Sequence, residues 1–103
     1  GEIYVPGGKL ADGSATNLLE VYNPQGDTWL ERAALPIPVY GYALASFEGR
    51  MYLFGGTDGS LYRDTVYIYD PQQDKWQPGS PMPTARAYAV EPVGVAAMMP
   101  SAT

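Results

Sequence analysis

Cysteine and histidine are both absent from this sequence of 103 residues. Without cysteine there is no disulfide, no thiolate metal site and no thiol nucleophile, and the redox compartment stays open. Without histidine the chain holds no Ser-His-Asp or Cys-His pair and no His-ligated zinc or iron. Cations are scarce too: six Lys and Arg stand against eleven Asp and Glu, a formal net charge of −5. Affinity for nucleic acid comes from clustered Lys and Arg that displace counterions, and the six here are scattered. No run approaches the roughly 18 consecutive apolar residues of a membrane helix, and the first residues do not read as a basic stretch followed by an apolar core. Neither nucleic acid nor membrane is therefore an expected partner.

Glycine, proline and tyrosine are plentiful instead: 12 Gly, 10 Pro and nine Tyr, with two Trp. That composition suggests many short strands joined by tight turns. A domain of this length buries only about two-thirds of its unfolded surface, so its stability margin is expected to be thin.

The sequence repeats itself. Gly1-Glu2-Ile3-Tyr4-Val5-Pro6-Gly7-Gly8 lies over Gly49-Arg50-Met51-Tyr52-Leu53-Phe54-Gly55-Gly56 at a displacement of 48. At a displacement of 47, Glu20-Val21-Tyr22-Asn23-Pro24-Gln25-Gly26-Asp27-Thr28-Trp29 lies over Tyr67-Ile68-Tyr69-Asp70-Pro71-Gln72-Gln73-Asp74-Lys75-Trp76, and Leu35-Pro36 over Met82-Pro83. Three landmarks recurring in one order define a structural repeat.

Each unit reads as strands. Residues 3–5 and 51–54 are β-branched and aromatic runs that stop at a Gly-Gly pair, where the backbone can take conformations closed to other residues. Asp12-Gly13 and Asp58-Gly59 are turn dipeptides. Residues 19–22 and 66–69 form the next strand, stopped by Asn23-Pro24 and Asp70-Pro71, because proline cannot donate to a ladder. The Trp29 and Trp76 segments supply the last strand of each unit. Pro36, Pro38, Pro81 and Pro83 mark the crossings, and residues 42–47 make one further strand, ended by Glu48-Gly49.

A double glycine followed by a Tyr and a Trp with six residues between them is found twice: Gly7-Gly8 with Tyr22 and Trp29, and Gly55-Gly56 with Tyr69 and Trp76. Over roughly residues 1–90 the pattern resembles the kelch repeat. The resemblance implies an all-β fold of β-propeller blades, each a four-stranded antiparallel sheet with its first strand at the central channel. There are departures: Val39 stands where a unit of this kind often has Arg, as at Arg86. Pro6 replaces the usual aliphatic or aromatic residue before the glycines, and the match fades after Val90.

By that template residues 1–38 form a blade lacking its first strand and residues 39–84 a complete blade. Residues 85–103 would begin a further blade, with a strand near 86–93, or form a disordered tail. A propeller needs four to eight blades to close. The expectation is a partial propeller belonging to a longer chain, or a unit whose copies join head to tail into a dimer or trimer that closes the ring. Pro92 would interrupt the strand that such joining needs.

The aromatic set Tyr4, Tyr22, Tyr52, Tyr67, Tyr69, Trp29 and Trp76 is read as packing between blades, with sugar stacking as the other reading. Asp12, Asp27, Asp58, Asp64, Asp70 and Asp74 invite calcium or glycosidase readings. Their places before Gly or Pro favour local capping of backbone N–H groups, and no loop alternates oxygen ligands densely enough for a calcium site. The glycine pairs lack the helix and the Lys-Ser or Lys-Thr step of a phosphate loop. No catalytic residue, metal site or cofactor is assigned.

In the kelch family the loops between second and third strands, and those between blades, crowd one face of the ring. Here those loops are about 9–16, 57–63, 36–40 and 83–86. They offer Asp12, Ser14, Tyr40, Asp58, Ser60, Tyr62, Arg63 and Arg86 as candidate ligand-binding residues, a mix of aromatic, hydroxyl and charged groups. Three readings stay open. The resemblance implies a protein- or peptide-binding scaffold, as many kelch proteins are adaptors. It also reaches carbohydrate-handling oxidases and epimerases, whose site would need groups this chain lacks. The third reading is a purely structural role.

Overall fold

The computed structural model describes residues 1–87. Seven strands form two antiparallel meanders: β1 (Ile3–Pro6), β2 (Leu19–Asn23) and β3 (Thr28–Arg32) make a three-stranded sheet, and β4 (Ala43–Phe47), β5 (Arg50–Phe54), β6 (Val66–Asp70) and β7 (Lys75–Pro78) a four-stranded one. The fold is all-β, as expected. Arg86 and Ala87 lie in no strand, and the rest of the anticipated strand near 86–93, with residues 88–103 as a whole, falls outside the described residues.

Local chemistry sets the turns. Phe47 pairs with Arg50 across the two-residue turn Glu48-Gly49, and both turn residues have positive φ, 51° and 79°. That geometry matches the strand twist, and its second position suits glycine. The other hairpins close through Asx turns: Asn23 Oδ1 accepts the Gln25 N–H at 3.0 Å, and Asp70 Oδ1 the Gln72 N–H at 2.9 Å. Each then passes through an aspartate with φ 55°, Asp27 and Asp74. Proline after each Asx residue sits where no ladder N–H is required.

Residues opposite each other in an antiparallel pair share a face. Register therefore puts Tyr4, Pro6, Leu19 and Val21 on one face of the first sheet, and Met51, Leu53, Tyr67, Tyr69 and Trp76 on one face of the second. These two faces meet. Leu19, Leu53 and Tyr69 are fully buried between them, with Leu35, Val39 and Met51 beside them and Tyr4, Ala33, Tyr42 and Trp76 packed around. Each such side chain contributes roughly 1.5–3 kcal/mol by leaving water. The core is thus an interface between sheets, and neither sheet has a core of its own.

Candidate functional site

The glycine pairs build one end of the molecule. Gly8 donates its N–H to Val39 O (2.9 Å), Val39 to Thr16 O (3.3 Å) and Thr16 to Gly8 O (3.0 Å). One repeat later Gly56 donates to Arg86 O, Arg86 to Arg63 O and Arg63 to Gly56 O, each at 2.9 Å. Between the two triangles Tyr40 and Thr57 exchange N–H bonds of 2.9 and 2.8 Å. Glycine is needed at the first position of each pair: a Cβ on Gly7 would sit 2.6 Å from Val39 O, and one on Gly55 would run into Arg86 O. The four loops named from the sequence thus meet at one end through their backbones.

Their side chains divide into two sorts. Asp12 accepts the Ser14 N–H at 2.9 Å and its hydroxyl at 2.6 Å, and these bonds hold its pKa below the usual carboxylate value. Asp58 accepts the N–H groups of Leu61 and Ser60 at 3.0 and 2.8 Å, and Arg63 Nη2 at 3.1 Å, which together lower its pKa to about 2. Thr57 is buried, and its hydroxyl donates to Leu61 O at 2.8 Å. Asp12, Ser14 and Asp58 therefore spend their polarity on the loops themselves, Arg63 joins them through Nη2 while its buried Nε has no hydrogen-bond partner, and Ser60 contributes its backbone.

The outward groups are different. Tyr62 and Leu61 are both 60% exposed, and Leu10, on the neighbouring loop, 48%. Lys9 Nζ lies 5.2 Å from the centre of the Tyr40 ring, a cation–π distance, and Arg86 is exposed. Leu10 and Leu61 were missed by the sequence reading because isolated leucines in polar loops carry no periodic signal.

A second cluster, also not singled out as a site, lies between the sheets. Tyr69 donates its hydroxyl to Asp74 Oδ1 at 2.6 Å. The same oxygen accepts the Ala33 N–H at 2.8 Å and faces Arg32 Nε at 3.3 Å. Trp76 Nε1 donates to Ala33 O at 2.9 Å, and Arg32 Nη2 to Pro71 O at 2.8 Å. Burial pushes the Tyr69 phenol up, aided by its bond to Asp74, while that bond and the Ala33 N–H hold Asp74 down. The sequence signal was present: Asp27 and Asp74 each stand two residues before a repeat tryptophan.

At the end opposite the loops a cleft of about 290 Å³ opens between the sheets, lined by Glu2, Tyr4, Arg50, Met51 and Tyr69 among others, with Glu2 its single carboxylate. Among the described residues no group of three or more Asp or Glu is placed to hold a metal ion, and no helix is long and apolar enough to cross a membrane.

Two meanders with one internal geometry, displaced by one repeat and packed face to face, are neighbouring blades of a β-propeller. The family model described as Kelch motif matches residues 38–83, and the chain belongs to the kelch-repeat family. It is 33% identical over 94 residues to Beta-scruin of Limulus polyphemus and 38% identical over 91 residues to Kelch-like protein 33 of Homo sapiens. Each match covers 84% of this chain but only 10% and 16% of those relatives, so the chain spans a small part of their length. Among solved structures, that titled Structure of YjhT superposes with a TM-score of 0.73 at 18% identity, covering 84% of this chain and 36% of the other, a likeness of fold alone.

Proposed function

We propose that these two blades belong to a non-catalytic scaffold that binds a protein or peptide across the loop end. The observation that carries this reading is the sorting of that surface: Asp12, Asp58 and Arg63 are engaged within their own loops, while Leu10, Leu61 and Tyr62 project, with Arg86 the one charged candidate beside them. Exposed aromatic and aliphatic groups on a rigid backbone suit a protein partner. A sugar site would want free polar groups around a ring face, and here the loop carboxylates Asp12 and Asp58 are already bonded. The kelch relatives support a protein-binding scaffold in general, and a sugar ligand is the alternative the test must address.

The test is selection of a displayed peptide library on the immobilised chain, run beside a glycan array. Peptides whose binding falls at least tenfold with Leu61→Ser plus Tyr62→Ala, at unchanged circular dichroism, support the reading. Glycan binding lost with Tyr62→Ala, or peptide binding indifferent to both substitutions, sinks it.

A further inference from the structure

Each sheet ends on its outer side in a strand with a single partner, β3 in the first and β7 in the second. Alternate residues of such a strand turn their N–H and C=O groups away from the sheet, and an edge of this kind is commonly blunted by lysine, proline or shortness. β7 is blunted in all three ways: it has four residues, begins at Lys75 and ends at Pro78, which has no N–H to offer. β3, Thr28–Arg32, is one residue longer and contains neither lysine nor proline. The two strands occupy equivalent places in the repeat, so the difference lies in their sequences.

The side chains of β3 are also held in place. Trp29 packs on Tyr22 with ring centres 4.9 Å apart, and Tyr22 donates to Asp27 Oδ1 at 2.7 Å, the counterpart of the Tyr69–Asp74–Trp76 cluster. Arg32 is tied to Asp74 and to Pro71 O. Between these anchors Leu30 lies opposite Val21, on the side that the second sheet covers, and with that sheet in place it is still 49% exposed. An edge ordered in advance loses little freedom when it pairs.

Charge selects the register of such a pair. Centred on Leu30, two antiparallel copies of β3 set Leu30 against Leu30, Trp29 against Glu31 and Thr28 against Arg32, with no like charges opposed. Centred on Glu31 or Arg32, the pair would oppose that side chain to itself, and centred on Trp29 it would oppose Glu31 to Asp27. We propose that β3 is a self-association edge: two copies of this chain join outer edge to outer edge about a two-fold axis at Leu30, and their three-stranded sheets become one continuous sheet. The faces through which blades stack in a ring take no part in this contact.

The sequence has no cysteine, so a single substitution gives a single thiol. Leu30→Cys would put two thiols directly opposite each other, with Cα atoms about 4.5–5.5 Å apart, within the span a disulfide bridges. Leu30→Cys, Glu31→Cys and Gln77→Cys, the last at the place in β7 that corresponds to Leu30, are treated with glutathione disulfide at equal concentration. Covalent dimer is read on non-reducing gels. Light scattering follows the unsubstituted chain and Leu30→Lys over a concentration series, and circular dichroism checks that every variant is folded. Dimer is expected to accumulate at least tenfold faster for Leu30→Cys than for the other two thiols, and the unsubstituted chain to reach a dimer that Leu30→Lys does not. Cross-linking of Leu30→Cys no faster than that of either control, an unsubstituted chain that stays monomeric throughout, or assembly that persists in Leu30→Lys would each overturn the proposal.

Discussion

Removing one hydroxyl tests whether the cluster between the sheets is energetically distinct from its open twin. Tyr69→Phe deletes a 2.6 Å bond to the Asp74 carboxylate at a fully buried ring and leaves the shape unchanged. Hydrogen bonds to charged groups contribute about 1.5–3 kcal/mol. The Asp74 side chain is 40% exposed and keeps the Ala33 N–H and Arg32, so water and these partners repair part of the loss. The low end applies, about 1.5 kcal/mol. Against a total of about 5–15 kcal/mol that is a large fraction, and it corresponds to a fall in Tm of roughly 6–12 °C. Tyr22→Phe removes an equivalent bond in an exposed setting and is expected to change Tm hardly at all. Both variants are melted by circular dichroism at a dilution where scattering shows monomer. Equal shifts for the two tyrosines, or none for Tyr69, would refute the assignment of the cluster as the clasp between blades.

Further outcomes follow from named contacts. Gly55→Ala meets Arg86 O and forces a side chain to φ 65°, so it should abolish the cooperative melt, whereas Gly8→Ala, with open space around its Cβ, should keep a cooperative melt at a cost of about 1–3 kcal/mol from its φ of 117°. Leu53→Ala, at the centre of the core, should cost about 3 kcal/mol in urea titrations. The depressed Asp58 carboxyl binds fewer protons when folded than its ordinary value of 3.8 implies. Its contribution is therefore present above about pH 4 and lost as pH falls toward 2. Asp58→Asn should flatten the stability profile in that window. The raised Tyr69 phenol acts at the other extreme: its contribution is complete below pH 10 and lost above it, so alkaline unfolding should begin there and begin later in Tyr69→Phe.

Most of the strands were legible because their signals are local. Gly7-Gly8, Gly55-Gly56, Asn23-Pro24 and Asp70-Pro71 each end a strand through their own backbone chemistry, and Asp12 and Asp58 cap their own turns as read. The packing role read for the aromatics holds for Tyr4, Tyr69 and Trp76. Trp29, identical in motif to Trp76, is 58% exposed, because its environment depends on a neighbour that no local pattern encodes. For the same reason Arg32 passed unnoticed: its partner Asp74 is 42 positions away, on another sheet. On the loop end the sequence named segments that the structure brings together, but it could not tell which polar groups were already spent on each other.

The two hydrogen-bonded triangles have a consequence for how such a chain tolerates change. Thr16 and Val39, and likewise Arg63 and Arg86, stand 23 positions apart, yet seven residues separate Gly8 from Thr16 and only six separate Gly56 from Arg63. The frame that ties each unit to its successor has the same length in both repeats, and the tip outside it differs by one residue. Variation in length is thereby channelled to the surface that meets the outside. Such an array can diversify its recognition loops by insertion and deletion while the spacing that propagates the ring stays in phase.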